Sequence, residues 1–334
     1  MPMGARVTLP DIPSFPPFQA HFPWVGADMQ TLRNFVLGGR PAVPSARSER
    51  VTFPMDDGTG DRLSGMLEQP AKPIPGAPLV VIIHGLAGCE DSFHVRDAAR
   101  YFVRNGLSVL RLNLRGAGPS RPDCTGTYHA GRSADLEAVL AQLMASGTAE
   151  RFVLFGVSLG GNMMLKYLGE KDRPHVAASI SVSSPIDLAR TSERFIQPRN
   201  RFYHSWLLSS MKRQALATPG LSARELSAIR HARTTVEYDE RHIAARNGFD
   251  GARDYYTRSS AKGFLPGVRV PTLVVHALND PWIPGKMYLD VDWAGNPALT
   301  PLLPLDGGHV GFHDGAGSWH LRMAGKFLED RNIL

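Results

Sequence analysis

One serine of this chain lies in a sequence context that would expose it as a nucleophile. Gly156-Val157-Ser158-Leu159-Gly160 follows the apolar run 152–155 and precedes an apolar segment, 162–168, so the expected order is strand, sharp turn and helix. A serine at the apex of such a turn presents its hydroxyl, and the flanking glycines allow neighbouring backbone to approach closely. The pattern predicts that Ser158 is a nucleophile, which requires a base to remove its proton.

The base and its orienting acid are expected later in the chain, each after a further strand. His309 lies in a glycine-flanked loop after the last apolar run, where it would take the proton of Ser158. Asp280 follows a short β-rich run bounded by prolines, so its carboxylate would reach the same sheet edge and hold the His309 ring in one tautomer. Asp187, after the preceding strand, is the alternative acid, and a turn residue is the alternative role for Asp280.

A backbone site for a developing oxyanion is also indicated. The buried-strand pattern 78–83 leads into His84-Gly85-Leu86-Ala87-Gly88, the position where enzymes with this serine turn place one backbone donor. The predicted donors are the N–H groups of Leu86 and of Leu159, the residue after the nucleophile. Such donors are each worth about 3 kcal/mol in the transition state. We interpret His84 and Cys89 as packing residues.

The loop around His309 has a second interpretation, as a metal site. It contains two carboxylates and two imidazoles, and His-x3-His spacing can place both imidazoles on one helical face; the residues are Asp306, His309, His313 and Asp314. Glycines at 307, 308 and 311 argue against a helix, so we expect no metal and assign Asp306 to the loop. An activated serine also requires no organic cofactor.

These residues need a single sheet that collects them at one edge. Strands are predicted at 48–54, 62–68, 79–83, 107–112, 151–156, 177–183, 271–276 and 300–304, and helices at 92–105, 132–146, 159–169 and 317–330. Strands that alternate with helices predict an α/β fold with a mostly parallel central sheet and helices on both faces.

Residues 186–265 interrupt this alternation and are predicted to form a helical cap insertion. The segment carries 14 Lys and Arg against 8 Asp and Glu, so its net charge of +6 equals that of the whole chain. A basic cap would attract an anionic substrate or a membrane surface. A solvated helical face is the alternative, and no motif indicates nucleic-acid binding.

The motifs along the chain resemble those of the YheT-type branch of the α/β-hydrolase superfamily, whose relatives include mammalian abhydrolase-domain lipid esterases. The matching stretches are Trp24-Val25, Gln30-Thr31-Leu32, 84–88, Asn113-Leu114-Arg115-Gly116, 128–132, 156–162, Asp254-Tyr255-Tyr256, 270–273, Asn279-Asp280-Pro281 and 307–312. The resemblance implies an α/β-hydrolase fold, a helical cap over the site and a hydrolase acting on esters. It places Ser158, Asp280 and His309 on the triad positions.

The domain organisation expected from these patterns has three parts. They are an N-terminal arm packed on the core at 1–47, a catalytic domain at 48–185 and 266–334, and the cap at 186–265.

The expected function is cleavage of carboxylic esters through an acyl-enzyme on Ser158, with a small-molecule ester as the partner. Alternatives on the same triad are a cofactor-free perhydrolase or haloperoxidase, a thioesterase and an amidase. A non-catalytic lipid-binding or partner-binding protein is a further alternative. The sequence leaves acyl-chain length, leaving group and oligomeric state open.

Composition gives the expected location. Two cysteines provide no disulfide framework, which fits a reducing compartment. No window approaches the roughly 18 apolar residues that span a bilayer, and no apolar run of signal-peptide length follows the N-terminus. We therefore expect a cytoplasmic protein, with peripheral membrane contact through the basic cap left open.

Overall fold

A single mixed sheet forms the centre of the computed structural model, which describes residues 15–334. Its strands are β1 (Arg47–Pro54), β2 (Arg62–Gln69), β3 (Leu79–Ile83), β4 (Val109–Asn113), β5 (Phe152–Val157), β6 (Val176–Val182), β7 (Thr272–Val275) and β8 (Leu299–Leu302). Their order is β1-β2-β4-β3-β5-β6-β7-β8. The pairs β1–β2 and β2–β4 are antiparallel and the other neighbours are parallel, which confirms the predicted sheet.

Both faces of the sheet are covered, because successive side chains of each strand point to opposite sides. In β3, Leu79, Val81 and Ile83 join one apolar core and the alternating Val80 and Ile82 join the other. The first core includes side chains of α3 (Ser133–Ala145) and α4 (Leu159–Glu170). The second includes side chains of α2 (Phe93–Arg104) and α11 (Trp319–Glu329). Five consecutive apolar residues are therefore the pattern of a strand buried on both faces.

Helices fill the segment for which a cap is predicted. They are α5 (Leu188–Phe195), α6 (Arg201–Leu216), α7 (Ala223–His231), α8 (Thr235–Tyr238), a π-helical turn at Asp239–Ala244, and α9 (Ala252–Ser259). Their buried apolar side chains form a third core, which also includes Ala130 and Leu159 of the sheet-and-helix region. This third core lies beside the turn that carries Ser158, since Leu159 is the next residue.

The N-terminal region contains a helix that the sequence analysis does not anticipate. Helix α1 (Ala27–Leu37) interrupts the predicted arm, and residues 1–14 of that arm lie outside the described residues. The remaining described elements are α10 (Lys286–Leu289), the short paired strands β9 (His313–Asp314) and β10 (Gly317–Ser318), and four 3-10 helices at Gly118–Ser120, Pro198–Asn200, Ala261–Gly263 and Leu265–Gly267. Within residues 15–334, no helix has the length and apolar character to cross a membrane.

Candidate active site

Ser158 occupies a strained turn between β5 and α4. Its φ is +51°, in the left-handed region that non-glycine residues rarely adopt. The turn is tight because a Cβ at Gly160 would collide with the carbonyl oxygens of Ile83 and His84, and one at Gly156 would lie 2.5 Å from the Cα of Gly161. The two glycines are thus required by close backbone approach, and the strain presents the Ser158 hydroxyl at the sheet edge.

Three side chains from separate strand ends form a continuous hydrogen-bonded chain. Ser158 Oγ lies 3.1 Å from His309 Nε2, and His309 Nδ1 lies 2.8 Å from Asp280 Oδ2. Asp280 follows β7 and His309 follows β8, so both reach the edge at which β5 ends. The arrangement can move a proton from the serine hydroxyl to an imidazole whose other nitrogen is held by a carboxylate.

Asp280 is buried and is held as a carboxylate. Burial alone would raise its pKa, but the contact with His309 and backbone hydrogen bonds lower the pKa below its usual value. Its second oxygen, Oδ1, accepts from the backbone N–H groups of Trp282 at 2.8 Å and Ile283 at 3.0 Å. Asp187, the alternative acid, instead caps the N-terminus of α5 by accepting from the N–H of Arg190 at 3.1 Å.

The loop that carries His309 is anchored by contacts from distant parts of the chain. The backbone N–H of His309 donates to Thr31 Oγ1 of α1 at 2.9 Å, and the N–H of Val310 donates to Ser183 Oγ at 3.1 Å. The indole of Trp282 stacks on the His309 ring with centroids 4.2 Å apart. The imidazole is therefore fixed by its backbone, its carboxylate partner and an aromatic face.

The predicted oxyanion donors lie on either side of Ser158. Leu159 is the first residue of α4, where the N–H has no intrahelical acceptor. Neither its N–H nor that of Leu86 donates to an acceptor among residues 15–334. The next N–H, that of Ala87, is used differently, because it donates to Tyr128 Oη at 2.8 Å. Both predicted donors are thus available to a ligand.

The His84 side chain supports the loop that carries Leu86. Its Nε2 accepts from the N–H of Leu114 at 3.1 Å, which requires a neutral ring. Burial lowers the pKa of His84 to about 4, in agreement with that tautomer. Cys89, just beyond the loop, is also held neutral, since burial raises the pKa of its thiol.

A cavity of about 570 Å³ opens onto Ser158. Ser158, Leu86, Leu159 and His309 form part of its wall. The wall opposite them is largely apolar and comes from helices of the predicted cap; it includes Leu188, Phe195, Leu207, Met211, Ala215 and Ile243. A ligand held there would lie beside the serine hydroxyl and against mainly apolar side chains.

Comparison with known proteins decides the family. The sequence profile for the alpha/beta hydrolase fold matches residues 78–316. The chain belongs to the α/β-hydrolase family. A monoacylglycerol lipase of Saccharomyces cerevisiae is 30% identical over 75% of this chain, and the match spans 59% of the yeast protein. The Escherichia coli protein YheT is 29% identical over 71% of each chain. Human monoacylglycerol lipase ABHD2 is 26% identical over 83% of this chain and 70% of its own.

Solved structures show the same fold at lower sequence identity. The Pyrococcus furiosus esterase Pf2001 aligns over 87% of this chain and 99% of its own, with a TM-score of 0.59 and 16% identity. A proline iminopeptidase of Mycobacterium smegmatis aligns over 85% and 99%, with a TM-score of 0.56 and 16% identity. Because both an esterase and a peptidase share the architecture, the fold of this α/β-hydrolase does not decide which bond is cleaved.

The two carboxylates of the alternative metal site have other partners in this α/β-hydrolase. Asp306 accepts from Asn279 Nδ2 at 2.6 Å, and Asp314 pairs with Arg322 at 2.5 Å. No group of three or more His, Cys, Asp or Glu in the described part of the chain is arranged to hold a metal ion. Asp306 also accepts from the N–H of Gly26, so it ties its loop to the N-terminal segment.

Several contacts around the site could not be predicted from the sequence patterns. Thr31 and Tyr128 fall inside stretches that support the family resemblance, but their contacts with His309 and Ala87 join distant elements. Gln214 of α6 donates to Ala87 O at 3.0 Å, and Trp282 stacks on His309. The position of Trp282 two residues after Asp280 is the one local hint, since it shares a tight turn with the acid.

Proposed function

We propose that this protein is a serine hydrolase that cleaves carboxylic esters through a covalent acyl-enzyme. The observation that carries the proposal is the chain of contacts from Ser158 Oγ to His309 and on to Asp280, at 3.1 and 2.8 Å, on the wall of an apolar cavity. The relatives named as lipases support the same reaction class.

The proposed reaction has two steps. Ser158 Oγ attacks the ester carbonyl carbon while its proton passes to His309 Nε2, and the N–H groups of Leu86 and Leu159 stabilise the oxyanion. Collapse of this intermediate breaks the bond to the alcohol oxygen, which takes the proton from His309 and leaves as the alcohol. Water then attacks the acyl carbon while it gives a proton to His309. The bond between the acyl carbon and Ser158 Oγ breaks as His309 returns that proton to Ser158, which releases the acid. Asp280 remains ionised throughout and stabilises the charged imidazole.

The proposed substrates are uncharged lipid-like esters. The cavity is large enough for an acyl chain of medium length, and its wall is mainly apolar. Two relatives are named as monoacylglycerol lipases, which favours this class over short polar esters. The basic charge of the predicted cap then acts outside the cavity.

The test is a panel of p-nitrophenyl esters from acetyl to palmitoyl, together with the matched thioesters and anilides. A separate assay with peroxide and a halide tests the perhydrolase or haloperoxidase alternative. We expect ester hydrolysis and labelling by a fluorophosphonate probe, both lost in Ser158→Ala with an unchanged melting temperature. Ser209→Ala, in the exposed part of α6, is the matched control and should retain both. Faster cleavage of a thioester or anilide would reassign the leaving group, and absence of labelling would favour the non-catalytic alternative.

We also propose that the mouth of the cavity contacts a lipid surface. Phe35 of α1 and Trp206 of α6 line the cavity, yet they remain 54% and 46% exposed, so they lie at its rim. Their rings pack edge to face with centroids 5.1 Å apart. Phe202, one helical turn before Trp206, is 80% exposed, and the exposed Arg201 lies beside it. An apolar rim beside a cation suits the boundary between headgroups and acyl chains.

Vesicle flotation tests this surface. Phosphatidylcholine vesicles with added phosphatidylglycerol should carry the protein, and Phe202→Ser should weaken that association severalfold. Leu305→Ser is the control, because Leu305 is also 80% exposed but does not line the cavity. Equal flotation of the two variants would rule out this rim as the contact.

A further inference from the structure

The cavity has a second polar region that the proposed ester hydrolysis does not use. Tyr238, Asp239, Tyr255 and Tyr256 all line the cavity. They come from the end of α8, the start of the π-helical turn and α9, and thus from the helices opposite the sheet. π-Helical turns are rare and are frequent at functional sites.

Two hydrogen-bonding groups in this region have no partner in the described part of the protein. Tyr256 Oη donates to Asp239 Oδ2 at 2.7 Å, and Tyr255 Oη accepts from the N–H of Ala130 at 3.0 Å. Across residues 15–334, Asp239 Oδ1 has no hydrogen-bond partner and neither has the hydroxyl of Tyr238, although Tyr238 is only 4% exposed. A carboxyl oxygen and a phenol on the wall of a cavity therefore offer an acceptor and a donor.

Both atoms face the open space of the cavity, because Asp239 is only half-buried and neither atom is enclosed without a partner. Ile243 and Met211 contribute apolar side chains to the same cavity. Buried polar groups normally find a partner in the protein, in water or in a ligand. Burial raises the pKa of Asp239 to about 7, and the hydrogen bond from Tyr256 opposes that rise only in part. Among residues 15–334, no cation is close enough to Asp239 to hold its carboxyl ionised, because Arg121, which also lines the cavity, acts on Tyr238 and not on Asp239.

This chemistry selects among ligand groups. An anionic group would meet a carboxyl without a neighbouring cation, and an ammonium group would need a carboxylate that is fully ionised. A hydroxyl group can donate to the carboxyl oxygen and accept from a phenol at the same time. An uncharged hydroxyl is therefore the group that both partners can satisfy.

We infer that Asp239 and Tyr238 form a subsite that binds a hydroxyl group of the ester substrate, carried on either its alcohol portion or its acyl chain. The inference rests on the proposed function, because the subsite shares a cavity with Ser158. It predicts that the enzyme distinguishes a hydroxylated ester from the same ester without the hydroxyl. A hydroxyl that loses one buried partner binds several-fold to about tenfold less tightly.

The experiment compares three esters of equal chain length: a glyceryl monoester, a methyl ester of a hydroxy fatty acid, and a plain methyl ester. The readout is the ratio of kcat/KM for each hydroxylated ester to that for the plain ester. We expect wild-type protein to prefer at least one hydroxylated ester. We expect Tyr238→Phe and Asp239→Leu each to lower that ratio by about tenfold.

Controls separate this subsite from a general effect on the cavity. Tyr238→Phe removes no hydrogen bond within the described protein, so its fold should persist. Tyr101→Phe makes the same chemical change on α2, away from the cavity, and should keep the wild-type ratio. A glyceryl preference would assign the hydroxyl to the alcohol portion, and a hydroxy-acyl preference would assign it to the acyl chain.

Failure of the hydroxyl subsite and failure of the proposed ester hydrolysis give different results. A wild-type ratio near one for both hydroxylated esters, or a ratio that Tyr238→Phe and Asp239→Leu leave unchanged, would overturn the subsite while ester hydrolysis stands. Absence of hydrolysis of every ester, together with absence of fluorophosphonate labelling of Ser158, would overturn the proposed function itself.

Discussion

The side-chain amide of Gln214 donates a hydrogen bond of 3.0 Å to the carbonyl oxygen of Ala87. Its own oxygen accepts from Tyr128 Oη at 3.2 Å, and Tyr128 Oη in turn accepts from the N–H of Ala87 at 2.8 Å. Both polar groups of the Ala87 peptide units are thus tied to helix α6. Since Ala87 has a φ of +57° and follows Leu86, α6 fixes the direction of the proposed donor N–H.

Gln214→Leu should lower kcat by about tenfold. One neutral hydrogen bond is worth roughly 1 kcal/mol, and its loss would also let the N–H of Leu86 turn away from the oxyanion. The acylation rate, measured from the p-nitrophenol burst, should fall by the same factor while the melting temperature changes little. Tyr128→Phe combined with Gln214→Leu should cost less than the sum of the two, since both act on Ala87. Gln197→Leu, in the same predicted cap but exposed, is the control. A rise in KM alone would contradict this role.

Thr31 provides the second prediction, since its hydroxyl accepts from the N–H of His309 and donates to Ala27 O. Thr31→Val keeps the shape but leaves a buried N–H without a partner, which costs about 1–3 kcal/mol. We expect a lower free energy of unfolding in urea and a lower kcat, with KM nearly unchanged. Thr31→Ser retains the hydroxyl and should recover most of both. Equal losses in the two variants would indicate that the methyl group, and not the hydrogen bond, matters.

The sheet and the turn around Ser158 were predictable because their signals are local. The run 79–83 is apolar throughout, and the glycines at 156 and 160 stand where the backbone of β3 and α4 approaches. Strand ends then place Asp280 and His309 at one edge by the geometry of a parallel sheet. Each of these inferences needs only a short stretch of sequence and one rule of topology.

Helix α1 could not be predicted in the same way. Its buried residues are Gln30, Thr31 and Asn34, so the hydrophobic periodicity that normally reveals a helix is absent. The side-chain amide of Gln30 instead accepts from the N–H of His313 at 2.8 Å and donates to its carbonyl oxygen at 2.9 Å. The helix is held by polar contacts with residues about 280 positions away, which no local pattern encodes.

Trp282 gives a third prediction, because its indole covers one face of the His309 ring at 4.2 Å. A cation over an aromatic face gains about 0.5–2 kcal/mol, and the imidazole becomes cationic when it takes the serine proton. Trp282→Leu should therefore slow acylation several-fold to about thirtyfold, whereas Trp282→Phe should retain most of the rate. Phe195 packs against Trp282, so Phe195→Leu tests whether the loss is only one of packing. Identical acylation rates in Trp282→Leu and Trp282→Phe would refute the electrostatic contribution.

Asp239 gives the last prediction, a dependence of stability on pH. Because burial raises the pKa of Asp239 from 3.8 to about 7, the folded protein binds this proton more tightly than the unfolded chain. The associated stability is fully present below pH 4 and is lost as pH rises towards 7 and through it. Three pKa units correspond to an upper bound of about 4 kcal/mol, reduced where cavity water solvates the anion.

Asp239→Asn cannot ionise, so its free energy of unfolding in urea should exceed that of the wild type by an amount that grows between pH 4 and 7 and then stays level. Asp250→Asn, an exposed change four residues before Asp254, should follow the wild-type curve. A constant difference between Asp239→Asn and the wild type across that range would show that Asp239 titrates as an ordinary solvated carboxyl.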